Sequence, residues 1–198
     1  YVVSLPTYAA TAWYHNRVAN RPADLKTFLA QVETFATGEY LQALTKGNQL
    51  PDEERQRVAQ QLAGYTGLSV PYLLKSNLRI EYGAFQKELL GDKALTTGTL
   101  DTRFIGASLD PLSKVASYDP QSSAISGAYI AAWQDYYRNR LHYDPGIEYK
   151  SGISIYSKWD YKHQPPGADK PLIMLPNVLP DLASAMKQNP SLKVMVNG

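Results

Sequence analysis

The sequence predicts a mainly α protein of the α+β kind, and three observations carry that expectation. Apolar residues recur at helical spacing through the middle of the chain, helix-opening pairs such as Leu50-Pro51 and Asp119-Pro120 punctuate it, and β-branched runs gather at the two ends. With 198 residues, the chain has the length of one domain or slightly more and can bury a hydrophobic core.

Taken in order, Val2–His15 reads as the exit of a buried strand, with a β-branched pair, a turn at Pro6 and aromatics whose polar tips need partners. From Asp24, the set Leu25, Phe28, Leu29, Val32, Phe35, Ala36, Tyr40, Ala43 and Leu44 predicts a long amphipathic helix, capped by Asp24 and stopped by Gly47. Leu50-Pro51-Asp52-Glu53-Glu54 opens a second helix, because proline and acids suit a first turn. Its inner face is Val58, Ala59 and Leu62, and Gly64 or Gly67 ends it. Shorter helices follow from Ser69 and over about 83–90. Leu95–Ile105 is Thr-rich and reads as a strand or extended arm. Asp119 and Pro120 open another helix bearing the stripe Ile125, Tyr129, Ala132, Trp133, Tyr136 and Tyr137, inside which Gly127 suggests a close approach. Ile147–Trp159 reads as a strand, 164–171 as a loop, Val178–Gln188 as a helix burying Leu179, Leu182, Ala185 and Met186, and Leu192–Val196 as a final strand.

Composition narrows the chemistry. Hydrophobic residues make up 44% and charged residues 19%, as in ordinary globular proteins, and the net charge is +2. Acids and bases divide evenly between the halves, so no polarised region steers a nucleic acid or a membrane. There are no cysteines, which excludes disulfides, thiolate metal sites and a Cys nucleophile. No apolar run approaches the roughly 18 residues of a membrane span. Fifteen tyrosines and three tryptophans are the unusual feature; they suit a tyrosine-rich core first and an aromatic binding surface second.

Motifs for catalysis are missing. Gly-x-Ser-x-Gly is absent, and Gly106-Ala107-Ser108-Leu109-Asp110 lacks the second glycine. His15, His142 and His163 are the available bases, none in a triad context. Zinc-ligand spacing, a phosphate-cradling loop and a dinucleotide fingerprint are also missing, so no catalytic residue, metal ligand or cofactor is assigned. Residues 55–77, with Ala59, Ala63, Gly64, Gly67 and Ser69, have the spacing of a helix-turn-helix corner; a plain helical corner explains the same residues better. Its second helix carries only Lys75.

Five strings carry a resemblance: Leu5-Pro-Thr-Tyr-Ala-Ala-Thr-Ala-Trp-Tyr-His15, Tyr65-Thr-Gly-Leu-Ser69 with Asn77-Leu-Arg-Ile80, Gly98-Thr-Leu-Asp-Thr-Arg-Phe104, Tyr118-Asp-Pro120, and Asn189-Pro-x-Leu-Lys-Val194. Together, in this order, they resemble the middle of a bacterial serine carboxypeptidase-like protein of peptidase family S10. The resemblance implies a helical cap, or lid, inserted into an α/β-hydrolase core, with a few residual core strands: 1–20 a core strand and its exit, 21–172 the cap, and 173–198 a return helix and core strand. It implies a parent hydrolase that cleaves C-terminal peptide bonds, with the nucleophile upstream and the triad acid and histidine downstream of this chain, which alone is expected to be inactive. The implied partners are a peptide substrate and the remaining hydrolase core, with no nucleic acid and no membrane. The compartment stays open, export being what the family suggests. Candidate substrate-binding residues are Tyr14, His15, Trp133, Tyr137 and Trp159, each structural first and ligand-contacting second, and Asp101 and Arg103, predicted on one strand face as a structural ion pair or a cap-to-core bond first and a substrate-carboxylate recognition pair second. The alternative from another class is a non-catalytic helical binding module, for peptide or, through the 55–77 corner, DNA.

Overall fold

Pro6 belongs to the first turn of a helix, and with it the strand expected over Val2–His15 gives way to α1, Leu5–Tyr14. Leu5, Tyr8, Ala9 and Ala12 fall at i, i+3, i+4 and i+7 and all are buried, which is a helical period in an alanine-rich segment. The computed structural model describes every residue except 144, 145, 147–149, 151, 153, 156, 157, 173–176 and 196–198. The chain divides into two compact units, 1–144 and 145–198. The described residues are mainly helical, with one two-stranded sheet.

In the first unit, α2 (Leu25–Phe35) passes through a π-helical turn, Ala36–Tyr40, into α3 (Leu41–Lys46). Asp24 caps α2 by accepting from the Thr27 N–H at 2.9 Å, and Gly47 stops α3 at φ 54°. The helix α4, Asp52–Thr66, has three acids in its first turn and ends at Gly67 in the left-handed conformation. Ser69 caps α5, Val70–Lys75. The core forms where α1 packs on α2 and α4, and α4 on α5. It holds Phe28, Val32, Val58, Leu62 and Leu73, among others. The Tyr40 hydroxyl donates to the buried carbonyl of Leu78 at 2.7 Å and fixes the stretch after α5.

Next come α6, Tyr82–Glu88, and a short antiparallel hairpin, β1 (Leu95–Thr97) and β2 (Ile105–Ala107), with Thr96 opposite Gly106. The predicted arm at 95–105 is therefore one strand and a turn, and Asp101, Thr102 and Arg103 lie in the turn rather than on a strand face. Gly98 is required there, because a Cβ would collide with the carbonyl oxygen of Asp101. The helix α7, Pro120–Asp135, continues through a second π-helical turn, Tyr136–Arg140. Among the described residues nothing lies within 4 Å of a Cβ placed on Gly127, so none of them makes the close approach expected there.

In the second unit, α8 spans Leu179–Gln188 within the predicted helix, but none of its four predicted inward residues is buried: Leu179, Ala185 and Met186 are exposed and Leu182 is half-buried. His163 and Leu172 pair as an isolated antiparallel bridge, and the His163 Nε2 meets Asp181 Oδ2 of α8 at 2.7 Å. The strand predicted at Ile147–Trp159 lies largely outside the described residues, as does the end of the one predicted at Leu192–Val196; Leu192–Met195 are irregular.

Candidate functional site

The end of α1 meets the hairpin turn. The Thr11 hydroxyl lies 2.8 Å from the Thr102 hydroxyl, and His15 Nε2 lies 2.7 Å from the Thr102 carbonyl oxygen. A carbonyl only accepts, so Nε2 carries the hydrogen, and in the neutral ring Nδ1 is left as the acceptor. The Tyr14 and His15 rings stand edge to face, 5.0 Å between centroids. Thus Tyr14, His15, Asp101 and Arg103, predicted from two distant stretches, form one cluster.

Within it, Arg103 grips the Asp101 carboxylate through both Nε and Nη2, the latter at 2.6 Å, and its own backbone N–H donates to the same carboxylate at 3.0 Å. The ion pair expected first is the arrangement found. The Arg103 side chain holds the Asp101 carboxyl well below the usual range, at about 2. Reciprocally, Asp101 raises the Arg103 guanidinium, with a smaller effect from Tyr14. Half of Tyr14 and most of Arg103 are exposed, so the cluster presents a phenol and a planar cation to solvent.

The turn is held from behind by Gln86, Asp119 and Gln121, of which the sequence predicts only Asp119, as the cap of α7. Gln86 donates its buried amide to the carbonyls of Gly98, at 2.7 Å, and Thr97, at 3.1 Å. Asp119, the predicted cap of α7, also accepts from the Thr99 N–H at 3.1 Å, and Gln121 accepts from the Asp101 N–H at 2.7 Å. Lys87 donates to the Asp110 carbonyl and to Ser113 Oγ, strapping down the loop before α7. The Asp119 capping pattern was visible in sequence; the partner 20 residues away was not.

Two cavities flank α6. One, about 290 Å³, lies between α1 and the turn and is walled by Thr7, Tyr8, Thr11, Phe85 and Thr102. The other, about 520 Å³, lies against the loop before α7 and is walled by Glu81, Gly83, Lys114, Val115 and Ser117. Tyr82, Gln86 and Thr99 line both.

Trp133 and Tyr137 pack their rings at 6.4 Å on α7 and its π-helical turn; Tyr137 is buried, Trp133 half-exposed, and Arg138 lies over the Tyr137 ring. Trp159 belongs to the second unit and is 57% exposed. Among the described residues no histidine nitrogen meets a serine hydroxyl, no group of three His, Cys, Asp or Glu could hold a metal ion, and no helix is long and apolar enough to cross a membrane. At the 55–77 corner, a Cβ on Gly67 would lie 2.6 Å from the Arg17 Cβ and 2.8 Å from the Arg17 carbonyl oxygen, so packing of the α1–α2 connection accounts for the glycine. No family model, curated protein or solved structure matches this chain.

Proposed function

We propose that this chain is the helical cap of a serine carboxypeptidase-like hydrolase, a lid that narrows access to an acyl-transfer site supplied by a longer polypeptide. One observation carries the reading beyond the string resemblance: two of the five strings, ending at His15 and centred on Asp101–Arg103, pack onto each other through the 2.7 Å His15–Thr102 hydrogen bond. A surface turn held by a rigid helix is a common place for substrate contacts. In this reading His15 is a positioning residue: with its Nε2 hydrogen committed to Thr102, it orients the turn. Arg103 and Tyr14 present the groups that a peptide carboxylate and an apolar side chain would meet at the entrance. The cap excludes water and sorts substrates, while nucleophile, base and oxyanion donors act from the core.

A fluorophosphonate probe tests this directly. The 198-residue chain is expected to remain unlabelled and the longer gene product to be labelled at one serine. Labelling of this chain, or a longer product without a reactive serine, overturns the proposal.

A further inference from the structure

The larger cavity beside α6 has a charge arrangement that the hydrolase reading does not use. Its volume of about 520 Å³ falls within the range of small-molecule sites. Glu81 and Lys114 both line it, yet neither forms an ion pair among the described residues; Glu81 is engaged by the Tyr1 hydroxyl at 2.6 Å, and Lys114 has no carboxylate partner. The same cavity is lined by Val115, the half-exposed Tyr82 ring and Ser117. Val115 sits close on the start of α6, since a Cβ on Gly83 would lie 2.9 Å from its side chain.

One cation and one anion on the walls of the same cavity, neither in an ion pair among the described residues, favour a ligand that brings both opposite charges. We infer that this cavity binds a free amino acid or dipeptide with an apolar side chain, its ammonium on Glu81, its carboxylate on Lys114 and its side chain against Tyr82 and Val115. An interior peptide segment has neither terminus and would leave both charges unanswered, and a simple anion or cation would answer only one. The inference needs only residues 81–118 and stands whether or not the hydrolase reading does.

The test is a titration of the whole 198-residue chain, followed through the backbone amides of Tyr82, Gly83, Val115 and Ser117 by heteronuclear NMR, with L-phenylalanine, N-acetyl-L-phenylalanine and L-phenylalanine amide as probes. Saturable shifts at these amides are expected with L-phenylalanine, and blocking either charge should weaken binding about tenfold. Lys114→Gln should weaken L-phenylalanine about tenfold and abolish its advantage over the amide, while Glu81→Gln should abolish its advantage over the N-acetyl form. Both side chains are exposed, so each variant is expected to fold, which circular dichroism checks. Equal affinity for the three probes, variants that bind like the parent, shifts centred elsewhere, or no saturable shift overturns the inference.

Discussion

Gly67→Ala and Gly64→Ala form a pair that isolates what shapes the corner between α4 and α5. Gly67 sits at φ 69°, and a Cβ there would meet the Arg17 Cβ at 2.6 Å and the Arg17 carbonyl oxygen at 2.8 Å; Gly64, three residues earlier in α4, has nothing within 4 Å. The left-handed conformation costs a residue with a Cβ roughly 1–2 kcal/mol, and forcing a methyl into a filled space adds about 1–3 kcal/mol. Reduced freedom of the unfolded chain returns about 0.4–1 kcal/mol. Gly67→Ala should therefore destabilise by about 2–4 kcal/mol, a large share of a typical total of about 5–15 kcal/mol. Gly64→Ala removes a flexible residue from a helix interior and should stabilise by about 0.5–1 kcal/mol. Urea unfolding of the parent and both variants, followed by far-ultraviolet circular dichroism and tryptophan fluorescence, reads these differences directly when m is unchanged. At about 2–4 °C per kcal/mol for a chain of this length, the melting temperature of Gly67→Ala should drop roughly 4–16 °C. A Gly67→Ala variant within about 0.5 kcal/mol of the parent would refute the packing account of the corner and give the helix-turn-helix reading new weight.

Tyr40→Phe leaves the buried Leu78 carbonyl without its hydroxyl donor, next to a backbone already held at φ 64°, and should cost about 1–3 kcal/mol in the same urea assay. Asp119→Ala removes the α7 cap and the acceptor for the Thr99 N–H together; a loss of about 1–2 kcal/mol is expected, with faster hydrogen exchange at Thr99 than at Thr96. The Asp101 carboxyl should titrate near 2 by NMR and return toward 3.8 in Arg103→Gln. Because its folded value is depressed, the stabilisation is whole above 3.8 and disappears as pH falls through about 2, so unfolding in that window should be less steep in the variant. Gly127→Ala should stabilise this chain by about 0.5–1 kcal/mol, since its Cβ meets none of the described residues, whereas in the longer polypeptide an element seated on α7 would cancel or reverse that gain; a gain of the same size in both counts against the cap reading.

The helices were legible where local chemistry alone decides them. Asp24, Ser69 and Asp119 cap as expected because an N-cap needs only a short side chain and the next two or three N–H groups. Gly67 and Gly47 end their helices because positive φ is a local demand. Val2–His15 misled because its β-branched pair and Pro6 suggested a strand and a turn, while the deciding period, Leu5, Tyr8, Ala9 and Ala12, comes from smaller residues whose burial depends on α2 and α4. The turn at 98–104 was half legible: Asp101 and Arg103 are two residues apart and pair by themselves, but Gln86, Asp119 and Gln121, which fix the turn from other elements, give no sequence signal of their meeting. His15–Thr102 spans 87 positions, a contact that no periodicity encodes.

The helix α7 shows the opposite relation between pattern and environment. An apolar stripe on a helix normally means burial of that face, and Ile125, Tyr129 and Trp133 fall at i, i+4 and i+8 on one face of α7. Yet only Pro120 of α7 is buried, and the tertiary attachments described for it gather at its first turn, through Asp119 and Gln121. Tyr129 is 70% exposed, as a surface helix selected for solubility alone would not require. An exposed apolar helix clamped at one end to the turn carrying Asp101 and Arg103 is what a lid would need where it lies against a larger body. The same clamp gives a mechanical link: a force on α7 acts on the hairpin turn through the Asp119 and Gln121 hydrogen bonds, and from the turn on His15 through Thr102. In the proposed reading, seating α7 on the hydrolase core therefore sets the position of Tyr14 and Arg103 at the entrance.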